Sequence, residues 1–478
     1  MKNINAISVL TLVTLSLVGC KSDSANPAGE NSIGEPSTAA IQKADCGPGS
    51  RPETGMQGRV TQEDHDNGYA EQGFTCNTEL VGSYIVPNAI GTVGGFKVER
   101  YVDTAGRECA YYDSTLMFPT NFLDLNAGVN VLDMSDPERP LLTSRLISPA
   151  MLSPHESLVV SQEAGILAAV MGNALAYPGI VDVYDVSEDC RSPKLLSSAL
   201  VGTLGHESGM TPDGKTFYSA SPSTPTLTAV DLSNPRLPLP LWSGNYSSHG
   251  LSLSDDGNRA YLASGNDNGL MIMDVSEIQA RLPNPQVYEI ASLSWDNQSI
   301  PQNAMPFSRD GKPFLFEIDE FSSNNAGTPF GVASNGKTVG AARIIDISDE
   351  TRPRVVSNLR LEVHQPENRE TIANDPGASN IIGGYAGHYC AVPTRVDPDI
   401  AACSMILSGL RIFDIRDPLH PREIAYFNAP VQPRILTVPA PASNWAMSKP
   451  AFVPERKEIW YTDGFSGFYA IRVTNGVW

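Results

Sequence analysis

The stretch 128–140, GVNVLDMSDPERP, decides the fold of this chain. Residues 128–132 predict a β-strand, because β-branched side chains favour the pleated backbone. Residues 133–140 are polar and contain two prolines, which predict the turn that ends the strand. Such a strand cannot keep its apolar face dry alone, so it needs neighbouring sheets stacked against it.

The pattern recurs along the chain at intervals typical of a repeat architecture. Further copies are GIVDVYDVS (179–187), LTAVDLSNP (227–235), GLMIMDVS (269–276), ARIIDISD (342–349), GLRIFDIRDP (409–418) and the degenerate GFYAIRV (467–473). Consecutive motif aspartates lie 52, 46, 43, 72 and 68 residues apart. A base period in the forties with insertions is typical of propeller blades of about four strands each. Seven copies predict an all-β, seven-bladed β-propeller.

Composition and charge narrow the class of protein. The 478 residues are 41% hydrophobic and 18% charged, as in a globular protein large enough to bury a core. The formal net charge is -20, from 33 basic and 53 acidic residues. Such a surface repels phosphate backbones, and no basic stripe offsets it, so the sequence argues against a nucleic-acid partner.

The amino terminus predicts an export signal. Lys2 precedes an apolar run, residues 6–19, which is shorter than the roughly 20 residues of a membrane-spanning helix. The run ends in LVGC (17–20), which resembles the lipobox of bacterial lipoproteins and implies cleavage before Cys20 and lipid on its thiol and new amine. Lys21 then favours the outer membrane. The alternative is an ordinary signal peptide in which Cys20 is incidental.

Four segments follow from these features. Residues 1–19 are the predicted signal peptide, and residues 20–45 hold Cys20 and a Ser-, Pro- and Gly-rich tether that we expect to be disordered. Residues 46–95 show no clear period and predict an irregular extension that packs on the propeller and can supply one strand to the closing blade. Residues 96–478 hold the repeats.

Six cysteines remain after Cys20, and an even number in an exported chain favours disulfides over a metal–thiolate site. Cys390 and Cys403 are close enough in sequence to close one hairpin. Cys46 can pair with Cys76 to hold the extension. Six cysteines allow many connectivities, so other pairings stay open.

The recurring pattern hydrophobic-Asp-[Val/Ile/Leu]-Ser-Asp-Pro resembles the LVIVD-repeat proteins, a bacterial propeller family. The resemblance covers residues 96–478 and rests on six good copies of the motif. It implies a propeller fold and export, and far less about activity. The last copy departs from the pattern, because Arg472 stands where the aspartate would be, as expected of a terminal strand.

A second regularity concerns the start of a strand in successive repeats. Aligned on their turns, these starts read PHES, GHES, SHG, QNA, GHY and MSK, and four of the seven histidines share one position: His155, His206, His249 and His388. The inner strand of a blade lines the central channel, so we expect a ring at one height. Glu156 and Glu207 adjoin it. Imidazoles with nearby carboxylates suit a transition metal such as Zn, Cu or Fe, and either glutamate can orient a ligand or act as a base.

Two resemblances leave the role of this ring open. Selenium-binding proteins and carotenoid oxygenases are propellers whose histidines hold a channel metal, although the likeness is one of arrangement only. In WD-repeat propellers, by contrast, a Gly-His pair on each blade hydrogen-bonds an aspartate in the blade's own turn. The pairs at 205–206 and 387–388, each with an aspartate-bearing turn downstream, fit that structural role, with Asn303 and Ser448 as polar substitutes.

Other polar residues give weaker signals. The acidic residues of the predicted strand 316–321 are Glu317, Asp319 and Glu320. Glu317 and Asp319 share one strand face and can face the channel or bind a cation, although a solvated strand face is the simpler interpretation. His364 lies in an insertion that can bring it over the channel mouth, although a surface position is the simpler interpretation, and we expect His65 and His420 in loops. The chain has no nucleophile elbow, phosphate loop, dinucleotide fingerprint or His-Glu-x-x-His helix, so nucleophilic catalysis has no support.

We therefore predict a monomer in the bacterial cell envelope that contacts the membrane through lipid on Cys20. The favoured function is a binding or scaffold module whose channel mouth and insertions at 321–340 and 363–385 contact a protein or envelope ligand. The alternative is a metal-dependent enzyme, an oxidoreductase or hydrolase, with the four histidines around the ion and Glu156 or Glu207 as the catalytic carboxylate. The fold hosts both. Convergence of the imidazoles favours the enzyme, whereas rings turned into their own blades exclude it.

Overall fold

The computed structural model describes residues 36–87, 89, 91–114, 127–172, 179–202, 205–222, 225–264, 269–295, 299–320, 339–378, 384–432 and 444–478. Residues 36–478 form one compact unit. The predicted signal peptide, Cys20 and the tether up to residue 35 lie outside the described residues. So do residues 321–338 and 379–383 of the two predicted insertions.

Helices are few and short in the described part of the chain. They are α1 (Gln62–Asp66), α2 (Pro149–Leu152), α3 (Ser276–Gln279) and α4 (Arg369–Ile372), with 3-10 turns at Ala70–Gln72, Glu362–His364, Pro366–Asn368, Ile406–Ser408 and Pro454–Arg456. None of the helices among these residues has the length and apolar character needed to cross a bilayer.

Strands form small antiparallel sheets that follow one another along the chain. Two strands precede the repeats, β1 (Phe74–Cys76) and β2 (Thr78–Tyr84). Four sheets of four strands come next: β3 (Val98–Val102), β4 (Glu108–Asp113), β5 (Val129–Asp133) and β6 (Leu141–Leu146); β7 (Val159–Ser161), β8 (Ile166–Val170), β9 (Gly179–Asp185) and β10 (Lys194–Gly202); β11 (Glu207–Met210), β12 (Thr216–Ala220), β13 (Leu227–Asp231) and β14 (Leu239–Gly244); β15 (Ser248–Leu253), β16 (Arg259–Ser264), β17 (Gly269–Asp274) and β18 (Tyr288–Ser294).

The next sheet has nine strands and consists of two antiparallel runs joined by one parallel pair, Glu320 with Gly387. Its strands after β1, which pairs with the last of them, are β19 (Ile300–Arg309), β20 (Lys312–Glu320), β21 (Ala342–Asp346), β22 (Arg354–Leu359), β23 (Gly387–Ala391), β24 (Ile400–Met405), β25 (Gly409–Asp414) and β26 (Arg422–Asn428). The final sheet contains β2 with β27 (Ala451–Val453), β28 (Glu458–Asp463) and β29 (Gly467–Val473). The all-β, propeller-like architecture is confirmed, and the number of seven blades stays a prediction.

The amino-terminal extension contributes to the last sheet. β2 pairs with β29, from Thr78 opposite Val473 to Tyr84 opposite Phe468, so the extension supplies a closing strand. The segment 36–45 also packs on the repeats, since the amide of Ile41 donates a 2.9 Å hydrogen bond to the Arg360 carbonyl. The prediction of a disordered tether is therefore wrong for residues 36–45.

The repeated aspartate organises the turn between the third and fourth strands of a sheet. Asp133 accepts hydrogen bonds from the amide (2.9 Å) and the hydroxyl (2.6 Å) of Ser135, and Asp185 accepts the same pair from Ser187. Burial favours the neutral acid, but these donors hold the pKa of both aspartates below its ordinary value. The Asp-x-Ser spacing of the motif is thus local turn chemistry.

The core lies between neighbouring sheets. Tyr111 and Val131, from the β3–β6 sheet, pack with Leu167 and Ala169 of the β7–β10 sheet, and all four side chains are fully buried. Three disulfides reinforce the fold: Cys46–Cys76, Cys109–Cys190 and Cys390–Cys403. The first and third confirm the predicted pairs. The second joins β4 to the segment that follows β9, and so links two adjacent sheets.

Candidate metal centre

The inner segments of successive sheets are irregular at the residues that approach one another. The pairing register shifts at His249 in β15, at Gln302 in β19 and at His388 in β23. His155, between α2 and β7, has φ of 49°, a left-handed conformation that is uncommon for a residue with a side chain. Because a bulge changes the direction of a side chain, the side chains at these four positions need not alternate between the two faces of the sheet as they do in a regular strand.

The first two histidines lie side by side on neighbouring segments. The amide of Glu156 donates a 3.1 Å hydrogen bond to the carbonyl of His206, and Glu156 forms an isolated parallel bridge with Glu207. The rings of His155 and His206 are 4.3 Å apart between centroids. The His-Glu dipeptides of two adjacent sheets are therefore aligned at one height.

The four imidazoles converge on the carboxylate of Glu156. The Nε2 atoms of His206 and His388 lie 3.3 Å from it, that of His249 lies 3.7 Å away and that of His155 3.9 Å away. All five residues are buried, with at most 9% of any of them exposed. His155, Glu156 and His206 bring three donor atoms within 4.8 Å of one another, a set that can hold a metal ion.

A second carboxylate, that of Glu320 at the end of β20, completes the cluster. Its Oε1 lies 3.3 Å from Nε2 of His249, and its Oε2 lies 3.3 Å from Nε2 of His388. The parallel pair between Glu320 and Gly387 places it beside β23. In the sequence, Glu320 is only one of three acidic residues in a predicted strand and is given no role, because its distance from the histidines depends on how two sheets meet.

Backbone carbonyls fix the orientation of two of the rings. Nδ1 of His249 lies 3.1 Å from the carbonyl oxygen of Pro301, and Nδ1 of His388 lies 2.6 Å from that of Met447. A carbonyl oxygen only accepts hydrogen bonds, so each Nδ1 carries the proton and, in a neutral ring, each Nε2 presents a lone pair. Metal-binding histidines are commonly held in this way.

The hypothesis that the histidines bind aspartates in their own turns is wrong for His206 and His249. Asp213, seven residues after His206, accepts hydrogen bonds from Thr211, Lys215 and Gln279. Asp256, seven residues after His249, accepts its hydrogen bonds from Ser254 and Asn258. The aspartates of both turns accept their hydrogen bonds from residues other than histidine. Instead, the Nε2 atoms of the two histidines lie 2.8 Å from each other.

Further polar residues adjoin the ring. Gln302 donates a 2.7 Å hydrogen bond from Nε2 to Glu156 and so holds the central carboxylate. Oε1 of Glu207 accepts from Lys97 (3.1 Å) and from Asn303 (2.8 Å). Its Oε2 is buried and has no hydrogen-bond partner within the described ranges. The sequence predicts Glu156 and Glu207 near the ring but gives no signal for Lys97, which precedes the first strand of a different sheet.

Burial and charge set the protonation states. Burial lowers the pKa of His155 well below its ordinary value and also lowers that of His249, which favours the neutral form of both rings. Burial opposes ionisation of Glu156, but the neighbouring imidazoles hold its pKa well below the usual range. For His388, burial lowers the pKa, but the carboxylates of Glu156 and Glu320, each 3.3 Å from Nε2, outweigh this effect and raise the pKa to about 10. The two carboxylates thus favour a cation at Nε2 of His388, either a proton or a metal.

The other acidic residues of β20 have a structural role. Glu317 and Asp319 are fully buried and both accept hydrogen bonds from Arg343, which donates to Asp319 at 3.0 and 2.9 Å. The Arg343 guanidinium also stacks 3.9 Å from the ring centroid of Trp295. The prediction of a solvated strand face is wrong, because a cation on the neighbouring strand β21 compensates the buried charges.

The remaining histidines lie away from the ring. His364 is fully buried, and its Nδ1 accepts a 3.1 Å hydrogen bond from the Leu361 amide. The prediction of a surface residue is wrong, because the insertion folds back and packs Val363 into the core. His65 lies in α1 rather than in a loop. His420 lies in an exposed turn, which confirms its prediction.

A family model for the LVIVD repeat matches residues 250–278. The chain carries the LVIVD repeat. The match spans β16 and β17 and contains the fourth copy of the motif, so the resemblance drawn from the repeated aspartates is confirmed. No curated protein matches the sequence of this LVIVD-repeat chain.

Solved structures superpose on a large part of this chain. The hydrazine synthase of Kuenenia stuttgartiensis superposes with a TM-score of 0.51 at 14% identity, over 81% of this chain and 99% of that one. A candidate 6-phosphogluconolactonase from Bacteroides uniformis ATCC 8492 has a TM-score of 0.46 at 13% identity, over 71% of this chain and 85% of that one. At 14% identity the likeness to the hydrazine synthase concerns the propeller-like fold alone.

Proposed function

We propose that this LVIVD-repeat chain is a metal-dependent enzyme in which His155, His206, His249 and His388 hold a transition metal together with Glu156. One observation carries the proposal: four Nε2 atoms, from four different sheets, converge on one buried carboxylate. Lone pairs and carboxylate oxygens that face one another in a buried space need a cation between them. Imidazole with carboxylate suits zinc, iron or copper.

A bound ion of this kind polarises a substrate oxygen or lowers the pKa of a water molecule. The chain's own residues orient the ligands: Gln302 holds Glu156, and backbone carbonyls hold His249 and His388. Glu207, fixed through Oε1 and free at Oε2, stands directly after His206 and is our acid–base residue. The reaction class is an oxidation–reduction or a hydrolysis.

The proposal includes a place in the cell. We propose that the mature chain begins at a lipidated Cys20, is anchored at the outer membrane and is monomeric. The three disulfides support export, because disulfides persist in oxidising compartments. We also propose seven blades, counting the two runs of the nine-stranded sheet separately.

The test is metal analysis of the full-length chain, purified in detergent without chelator or metal-affinity resin. Inductively coupled plasma mass spectrometry would give zinc, copper and iron per chain for the wild type and for His206→Ala/His249→Ala. His420→Ala is the matched control, since it removes an exposed histidine. We expect near-stoichiometric metal in the wild type and control and its loss from the folded double variant.

A wild-type chain that neither contains metal nor binds added Zn²⁺, Cu²⁺ or Fe²⁺ would overturn the proposal. The binding or scaffold function, which the sequence favours, would then be the better interpretation. Circular dichroism of each variant separates loss of metal from loss of the fold. A panel of hydrolase and oxidase substrates, applied to the metal-loaded wild type and Glu207→Gln, would assign the reaction class.

A further inference from the structure

The histidine ring offers more donor atoms than one ion uses. Four imidazole nitrogens and the four carboxylate oxygens of Glu156 and Glu320 face the same buried space. First-row transition metals in proteins take about four to six ligands, and zinc usually takes about four. Eight donors are therefore enough for two ions.

The contacts with Glu156 divide the donors into two sets. In the first set, the Nε2 atoms of His206 and His249 lie 2.8 Å apart, and both are nearest to Oε2 of Glu156, at 3.3 and 3.7 Å. In the second set, the Nε2 atoms of His155 and His388 are both nearest to Oε1 of Glu156, at 3.9 and 3.3 Å.

Glu320 divides in the same way. Its Oε1 is the oxygen nearest to His249, in the first set, and its Oε2 is the oxygen nearest to His388, in the second. Each carboxylate thus turns one oxygen to each set, and each set has two imidazole nitrogens and two carboxylate oxygens. A carboxylate that serves two ions through its two oxygens is a bridging ligand.

We infer that the ring binds two metal ions bridged by Glu156 and Glu320, one held by His206 and His249 and the other by His155 and His388. The inference rests on the proposed function and adds the number of ions and the role of Glu320. A separate observation supports the second set. Nε2 of His388 is fully buried and has no hydrogen-bond partner in the part of the chain that the structure describes.

The competing arrangement is a single ion. His155, Glu156 and His206 lie close enough to share one ion, although His155 belongs to the second set and His206 to the first. That arrangement leaves Glu320 without a metal. Stoichiometry and the effect of replacing Glu320 therefore distinguish the two arrangements.

The experiment is a titration of the metal-free, full-length chain with Zn²⁺, followed by desalting and mass-spectrometric metal counting. Two zinc ions per chain are expected. One ion per chain would overturn this inference and leave the proposed function standing. No bound ion would overturn both.

Two variants sharpen the test. Glu320→Gln removes a charge from both sets and is expected to lower the count from two to one or fewer. Glu207→Gln, a buried glutamate whose Oε1 accepts from Lys97 and Asn303, is the matched control and is expected to keep two. A count unchanged in Glu320→Gln would contradict the bridging role.

A spectroscopic measurement on the wild type covers the case in which Glu320→Gln fails to fold. Mn²⁺ added to the metal-free chain would give a spin-coupled electron paramagnetic resonance spectrum if two ions share carboxylates. The six-line spectrum of isolated Mn²⁺ at saturation would instead establish a single ion and reject the inference.

Discussion

Gly250 leaves room for the carboxylate of Glu207, and replacing it by alanine tests how tightly the buried layer is packed. A Cβ at this position would lie within 3.0 Å of both Oε2 of Glu207 and the carbonyl oxygen of Gln302. The Glu207 side chain is not free to turn away, because Lys97 and Asn303 donate to its other oxygen. The Gln302 oxygen belongs to the backbone of β19.

The size of the effect follows from these contacts. Overpacking a core by one methyl group costs about 1–3 kcal/mol. Displacing the carboxylate instead sacrifices a hydrogen bond to a charged group, which contributes about 1.5–3 kcal/mol. The protein can either tolerate the clash or move the Glu207 carboxylate, and the Gln302 carbonyl still clashes if the carboxylate moves. We therefore expect Gly250→Ala to lower the free energy of unfolding by about 3 kcal/mol, the upper end of both ranges.

Urea unfolding followed by tryptophan fluorescence measures this change. Gly55→Ala is the matched control, because no atom lies within 4 Å of the Cβ that it would add, and its effect should stay within about 0.5 kcal/mol. Equal stability of Gly250→Ala and the control would refute the reasoning. In a Glu207→Ala background the cost of Gly250→Ala should shrink, since only the clash with the Gln302 carbonyl remains.

Two further changes test the buried ion pair and the repeat motif. Arg343→Met would leave the carboxylates of Glu317 and Asp319 buried without their cation and is expected to cost about 3–5 kcal/mol in urea unfolding. Burial raises the pKa of Asp414, but hydrogen bonds from Arg416 outweigh it and lower the pKa from 3.8 to about 2. A lowered folded-state pKa gives stability above about pH 4 that is lost as the pH falls toward about 2. Asp414→Asn should therefore be about 1 kcal/mol less stable at neutral pH, allowing for solvent screening, and should approach the wild type near pH 2.

The prediction for Arg343→Met has a matched control, and each of the two predictions has an outcome that would contradict it. Arg139→Met removes an ion pair with Asp136 in which the arginine side chain is 86% exposed, and it should leave the urea midpoint unchanged. A change equally small in Arg343→Met would contradict the buried-pair argument. A deficit of Asp414→Asn that is the same at every pH would show that its ionisation contributes nothing.

The sequence predicts those parts of the fold that depend on short-range chemistry. The Asp-x-Ser turn needs only atoms two residues apart, so its copies are visible as a period, and the period implies stacked sheets. The prediction that the four histidines share one position is also confirmed, because equivalent segments of successive repeats place equivalent residues at one height. Two of the three disulfides can also be predicted from the sequence, because their cysteines are close to each other along the chain.

What the sequence does not predict depends on how distant segments meet. The turning of His249 and His388 into the ring requires register shifts that have no local signature. Glu320 reaches the ring through a single parallel pair between two runs of one sheet. His364 has the sequence context of a surface insertion, yet the insertion folds back and buries it. Packing against residues far along the chain determines all three.

The pairing of β2 with β29 has a consequence for biosynthesis. β2, which completes the last sheet, leaves the ribosome before the repeats, whereas its partner β29 leaves after them. Contacts between such distant residues form slowly, and an unpaired strand edge attracts other chains. A chain halted before residue 467 would keep β2 without its partner and would present that edge to its neighbours. We therefore expect the nascent chain to be most prone to aggregation in the interval before β2 pairs with β29.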